Sequence, residues 1–418
     1  MSALYDRHLE PIAVRALEHV PALILEGARQ VGKSTLALRV AAPSAVVANL
    51  DREAVRGAAA ADPEGFVRQA GQGQLVIDEI QRLPELTLAL KAAIDEDRRP
   101  GRFILTGSSS LLRVRGTADS LAGRVARLTL YGLSRGELTA DRDDFAAAIA
   151  ESLTSLVSFR SEPDRDAYAD LVGAGSYPEL HRLPAELRGA WIDDYTQGVI
   201  GRDLSQLRKE VNPARARAIL RILAGRQSAE LVKATLAAEA GIPASTVTGY
   251  VDLLHDVGLV ASIPPWTPNL SRRETGRSKA VVLDSALAMR LARVTVAQLK
   301  QFEYSEAFGS FLEAFVVGEL LKQRTWSRRD FELFHYRDRA GPEVDAVLEF
   351  DDGRVLGIEV KASTSFSAKQ FAGLAALRER AGDRFIAGIV LNTGKTGYRY
   401  SDRLFGAPVS ALWQFGRN

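Results

Sequence analysis

Four short apolar runs mark the first third of the chain, at residues 22–25, 45–50, 75–77 and 102–106. Each is nearly unbroken and too short for a helix, which is the pattern of a strand buried on both faces. Residues 125–131 alternate and predict a fifth strand. Helical spacing fills the gaps, as at 85–94, and residues 1–20 read as a short helix leading into the first strand. Strands alternating with helices predict an α/β fold with a parallel sheet, whose ligands sit at the carboxyl ends of the strands. Residues 140–200 read as mainly helical, with a loop at 171–180. Residues 228–240 predict a helix stopped by Gly241, and 244–256 a second, with Val247, Tyr250, Val251 and Leu254 on one stripe. Gly258 ends that helix, and 259–263 read as a strand. Helix, short turn, helix, strand is the order of a winged helix-turn-helix, placed here at about 200–265. A new unit starts near residue 300. Its amphipathic helix, 308–321, carries Phe308, Phe311, Leu312, Phe315 and Val316 on one stripe, and strands follow at 331–336, 344–350 and 355–360.

The first strand runs into GARQVGKS, residues 27–34, which fits GxxxxGK[ST] without a mismatch. Strand, glycine loop and helix in this order form a phosphate cradle: glycines let backbone amides curl round phosphate oxygens at a helix N-terminus. The nucleotide-binding set is Gly27, Ala28, Arg29, Gln30, Val31, Gly32, Lys33, Ser34 and Thr35. Lys33 would reach the β and γ phosphates and Ser34 would ligate Mg²⁺. The strand at 75–77 ends in Asp78-Glu79. Asp78 is expected beside the Mg²⁺, and Glu79 as the base that polarises the attacking water. Gln81 and Arg82, just beyond, are candidates to sense the γ-phosphate, and Ser108 or Thr106 to orient the water. Residues 120–124 (SLAGR) end in Arg124, the first candidate for an arginine that neutralises developing charge in its own or a neighbour's site. Arg113 and Arg115 are second.

Composition narrows the field. A chain of 418 residues exceeds one ordinary core and predicts two or three domains. A net charge of +2 means that nucleic-acid binding needs a local patch. Residues 201–280 hold twelve Lys/Arg against seven Asp/Glu, with Arg272, Arg273, Arg277 and Lys279 in an expected wing. A DNA reader and a packing module both fit that bias. Absence of cysteine excludes disulfides, thiolate metal sites and a cysteine nucleophile. The N-terminus lacks a signal-peptide pattern, and no apolar run approaches the ~20 residues of a membrane span, so a cytoplasmic protein with no membrane partner is expected.

In the last third, spacing carries chemistry. A two-residue turn at Asp352-Gly353 would pair positions summing to about 705, setting Asp345 across from residue 360, between Glu359 and Lys361. Glu359 and Lys361 share a face, so the three could converge as D…(D/E)xK. The carboxylates of such a set hold Mg²⁺, and the lysine orients water or steadies the transition state. Glu313 could add a fourth group from the helix. A solvated ion pair across the hairpin is the plain alternative.

GARQVGKST, LVIDEIQRLPEL, RFILTGSSSLL, SLAGR, EVDAVLEF, IEVKAS and a closing PVSALW together resemble the bacterial and archaeal AAA-type ATPases that end in domain of unknown function 4143. The resemblance covers nearly the whole chain. It implies a P-loop AAA-type domain at 1–140, a helical and winged-helix middle at 141–300, and an α/β domain at 301–418 resembling the PD-(D/E)xK nuclease fold. Glu343-Val344-Asp345 departs from that fold's Pro-Asp pair. Two readings follow. The first is an ATPase, with ATP and Mg²⁺, that couples nucleotide state to DNA binding and extends to Mg²⁺-dependent cleavage, with Glu79, Lys33, Arg124 and Lys361 catalytic and a homo-oligomer as its assembly. The second is a nucleotide-controlled switch that recruits a protein, with the nuclease-like fold as a non-catalytic scaffold.

Overall fold

The computed structural model describes residues 5–107, 121–208, 210–269, 271, 273, 276–338 and 341–416. The chain divides into two compact units. Unit 1 comprises Met1–Leu133, Gly201–Val211 and Asp256–Gly258, and unit 2 comprises Ser134–Ile200, Asn212–His255 and Leu259–Asn418.

Unit 1 is built on five parallel strands: β1 (Ala22–Glu26), β2 (Val46–Asn49), β3 (Leu75–Asp78), β4 (Phe103–Gly107) and β5 (Val125–Thr129). Their order is β2-β3-β4-β1-β5. The inner runs became strands covered on both faces, since Leu75, Val76 and Ile77 are buried, as are Phe103, Ile104 and Leu105, whereas Val46 and Val47 of the edge strand β2 are exposed. Helix Leu86–Glu96 contributes Leu86, Leu90 and Ile94 to a core shared with Ile24, Ile77 and Phe103. Because β4 lies between β1 and β3, Thr106 falls between the P-loop and Asp78 at the carboxyl edge.

Unit 2 holds a six-stranded sheet in the order β12-β13-β11-β10-β9-β8. The strands are β8 (Phe331–Arg337), β9 (Glu343–Phe350), β10 (Val355–Lys361), β11 (Phe385–Asn392), β12 (Tyr398–Ser401) and β13 (Leu404–Pro408). The β8–β9 and β9–β10 pairs are antiparallel, whereas β10–β11 and β11–β13 are parallel. Helix Ala372–Ala381 lays Leu374 and Leu377 against Gly357, where a side chain would collide with both. The long helix is Ser305–Arg324, and from Ala314 to Gln323 every residue is buried. The expected one-sided stripe therefore holds only for its first half. The second half runs through the interior, and its polar groups are satisfied there: Gln323 accepts from Phe145 N (2.9 Å) and donates to Leu412 O (2.7 Å).

The middle region holds helices Pro213–Gly225, Lys233–Ala240 and Ala244–Asp256, then β6 (Val260–Ile263) and β7 (Lys279–Val282), which pair antiparallel. The helix expected from 228 begins only at Lys233, because Ser228 N and Leu231 N donate to Ala280 O and Ser278 O, tying that segment to β7. The connection from β6 to β7 is laced to β8: Trp266 N donates to His335 O (2.6 Å), and His335 N to Pro264 O (2.9 Å). The loop expected at 171–180 is half helix, since helix Arg165–Ala174 continues to the left-handed Gly175.

Candidate functional site

Residues 27–32 carry β1 into helix Lys33–Val40. Gly27 has φ 150°, and a Cβ there would meet Leu130 O at 2.1 Å, so only glycine fits. Gln30 (φ 61°) and Gly32 (φ 100°) turn the loop through left-handed backbone, and Gly32 caps the helix. Alternating backbone of this kind gathers amides into an anion-binding concavity. The Arg7 guanidinium props the loop from behind, donating to Val31 O and Tyr131 O, each at 2.7 Å. Arg29 pairs with Asp203 (2.8 Å), while Ala28 and Val31 are buried and Thr35 is exposed.

The Lys33 ammonium is buried and folds back on Gly27 O (3.2 Å) and Ala28 O (2.8 Å). Burial pulls its pKa down, and the charges of Glu79 and Asp78 oppose that fall. Asp78 accepts from Ser34 Oγ (2.7 Å), Asn49 Nδ2 (3.0 Å) and the Thr106 hydroxyl. Glu79 adopts left-handed backbone (φ 60°), its amide donates to Thr106 Oγ1 (3.2 Å), and its carboxylate accepts from the Gln81 amide. Ser34 and Asp78 thus meet as expected of Mg²⁺ partners, and the hydroxyl–carboxylate donor set fits that ion. Arg82 pairs with Asp51 (2.7 Å). Ser108, Arg113 and Arg115 lie outside the described residues.

Arg124 requires correction. It was expected near the P-loop edge, yet it directly precedes β5, whose Val125 pairs in parallel with Ala22, the first residue of β1. It therefore lies at the amino edge of the sheet, opposite its own P-loop. There its guanidinium grips Asp95 through two hydrogen bonds of 2.7 and 2.9 Å.

In unit 2 the hairpin closes differently from the expected two-residue turn. Phe350 N donates to Arg354 O (2.9 Å) around a three-residue loop ending in Gly353 at φ 75°. The register is Leu356↔Leu348 and Ile358↔Ala346, so paired positions sum to 704 and Asp345 falls opposite Glu359. Asp345 Oδ2 accepts from Val360 N (2.8 Å), and Glu359 pairs with Lys361. Lys279, from β7, enters the same cluster. Its ammonium lies 2.7 Å from Glu313 Oε1 and 3.4 Å from Asp345 Oδ1, and its side chain is only 9% exposed. Burial first, then the charge of Asp345, pushes Glu313 up to about 8, and the same two causes push Glu359 to about 8. Burial lowers Lys279, but the carboxylates outweigh it and its pKa rises. Among the described residues no group of three acids or histidines is arranged to hold a metal. Of the expected Mg²⁺ set, Glu313 and Asp345 share the Lys279 ammonium whereas Glu359 pairs with Lys361, an arrangement of ion pairs rather than of metal ligands.

Residues 19–139 match the family model described as an AAA domain, 165–298 match domain of unknown function DUF8612, and 308–412 match DUF4143. The chain thus carries an AAA domain at 19–139 and a DUF4143 region at 308–412. It is 28% identical over 408 residues to the uncharacterized protein Rv2008c of Mycobacterium tuberculosis, covering 96% of this chain and 83% of that one. The uncharacterized protein Mb2031c of Mycobacterium bovis matches with the same figures. Among solved structures, Thermotoga maritima RuvB is 21% identical (65% of this chain, 89% of that one, TM-score 0.28). DnaA of Aquifex aeolicus with AMPPCP is 13% identical (59% and 86%, TM-score 0.29). Aeropyrum pernix ORC1 in complex with DNA is 14% identical (70% and 94%, TM-score 0.27). Superpositions this loose say nothing of what the chain does.

The basic residues expected on a wing are partly inside. Arg273 is buried against Glu349 and stacks over Phe334 at 4.8 Å. Lys279 is held by the DUF4143 acids. Arg277 is exposed, and Arg272 lies outside the described residues. Arg7, Asn49 and Asp203 carried no sequence signal, and Lys279 read only as a wing cation. Each acts on a partner distant in the chain and belongs to no motif.

Proposed function

We propose that this AAA-domain protein is an ATP-hydrolysing switch whose DUF4143 region serves as a metal-free scaffold for a protein partner. The observation that carries the scaffold part is the Lys279 ammonium between Glu313 and Asp345, where cleavage chemistry would need a divalent cation. The first reading, DNA binding with cleavage, also loses Arg273 and Lys279 as phosphate contacts, because both are buried in ion pairs.

In the AAA domain, Lys33 would exchange the Gly27 and Ala28 carbonyls for phosphate oxygens. Ser34 and Asp78, already joined by a hydrogen bond, would hold Mg²⁺. That ion, when bound, neutralises charge on the phosphates. Thr106 holds the Asp78 side chain and the Glu79 amide together, which aims Glu79. Glu79 would then take the proton of the attacking water, and Gln81 positions its carboxylate. Two assays test the proposal. Lys33→Ala should weaken ATP binding at least about tenfold, a loss of some 1.4 kcal/mol. Plasmid and oligonucleotide DNA should stay intact with Mg²⁺ or Mn²⁺, with or without ATP. Cleavage lost in Asp345→Ala would reinstate the nuclease reading.

A further inference from the structure

Unit 2 contains a concave pocket of about 480 Å³ whose wall is cationic. Arg217 and Arg221 enter it from helix Pro213–Gly225, Arg290 from helix Ser285–Ala292, and Arg293 from just beyond that helix. Asp193, on helix Ala185–Gly198, is the only carboxylate among the described residues lining it. Local sequence explains the arrangement. Arg217 and Arg221 are four apart and so share a helix face, flanking the buried stripe of Ala216, Ile219, Leu220 and Leu223. Arg293 sits in left-handed backbone at φ 58°, which ends its helix and turns the chain at the pocket mouth. The buried Met289 gives the pocket an apolar part.

The charges do not balance. Asp193 is committed to Arg290 through two hydrogen bonds, Nε to Oδ1 at 3.0 Å and Nη2 to Oδ2 at 2.5 Å. Among the described residues, no ion pair joins Arg217, Arg221 or Arg293 to a carboxylate. Arg217 and Arg221 on one helix and Arg293 just beyond another set a surplus of positive charge about one cavity, which a bound polyanion would complement. Guanidinium forks match the oxygens of a phosphate in a bidentate way, which an ammonium cannot do. The volume lies within the ~300–1,000 Å³ of small-ligand clefts and suits a ligand of nucleotide size.

We propose that this pocket binds a phosphate-bearing ligand through Arg217, Arg221 and Arg293, with Arg290 held in place by Asp193. The phosphate belongs either to a free polyphosphate or to the phosphorylated end of a nucleic-acid strand. Full-length protein carrying Lys33→Ala, which weakens the P-loop, is titrated with inorganic pyrophosphate by calorimetry. A fluorescent oligonucleotide, with and without a terminal phosphate, is followed by anisotropy. Pyrophosphate should bind. The double change Arg217→Gln with Arg221→Gln should weaken it about tenfold or more, and Arg293→Gln should weaken it separately. Unchanged circular-dichroism melting would show that both variants fold. Pyrophosphate binding alone assigns the pocket to a small polyphosphate. Preference for the phosphorylated strand, competed by pyrophosphate, assigns it to a nucleic-acid end. No pyrophosphate binding, or binding that ignores the arginine changes, would overturn the proposal.

Discussion

Lys33 and Lys279 are both buried ammoniums, and their surroundings differ in kind. Lys33 rests on two backbone carbonyls, neutral acceptors that it can leave when a phosphate arrives. Lys279 rests on carboxylates, which fix it as a permanent cation. Removing one partner of a buried ion pair leaves the other uncompensated, at a cost of about 3–5 kcal/mol. Lys279→Met should therefore destabilise unit 2, and Mg²⁺ or Mn²⁺ should raise the melting temperature of that variant and not of the parent. A divalent-ion shift in the parent that disappears in Asp345→Ala would contradict the account. Motif spacing made the P-loop, Asp78 and Glu79 legible in the sequence. Lys279 was not, because it lies 66 residues before Asp345 and reads as one of several wing cations.

At the scale of elements, the five strands of the AAA sheet and β8 to β10 of the second sheet were legible from short apolar or alternating runs, whereas β11, β12 and β13 were not read from the sequence. Nor was the hairpin register. One extra loop residue before Gly353 moves Asp345 from opposite residue 360 to opposite Glu359, a choice of turn that the pair Asp352-Gly353 does not settle. The burial of the second half of helix Ser305–Arg324 was hidden too, since its Glu319, Lys322 and Gln323 add no apolar pattern and yet are buried. Two predictions belong here. Gly27→Ala would drive a Cβ onto Leu130 O, so it should cost more than about 1 kcal/mol in thermal unfolding and displace the phosphate loop. His335, in β8, is buried with Nε2 3.0 Å from Arg277 O, and burial lowers its pKa from 6.5 to about 4. As pH falls below 6.5 the unfolded chain takes up this proton before the folded one does. Its contribution to stability is thus complete above 6.5 and is lost towards pH 4, at most about 3 kcal/mol. Urea unfolding across that window should show the loss, and His335→Gln should flatten it.

Across the whole molecule, the two units hold different kinds of charge. The AAA domain buries Lys33 and Asp78 beside a loop built for an anion, while unit 2 buries Lys279 and Arg273 in closed pairs. No helix among the described residues is long and apolar enough to cross a membrane. Arg124 lies at the amino edge of the AAA sheet, so any role in catalysis falls on a neighbouring chain. Arg124→Ala should then leave ATP affinity unchanged. A lowered turnover that recovers on mixing with Lys33→Ala protein would mark an inter-subunit site, whereas weakened ATP binding would count against this placement. The central claim, ATP hydrolysis with Glu79 as base, is tested most directly by phosphate release from Mg-ATP, measured beside ATP binding in the parent and in Glu79→Gln. The account predicts equal binding and a release rate about 10²–10³ lower in the variant. Equal rates in the two proteins would contradict it.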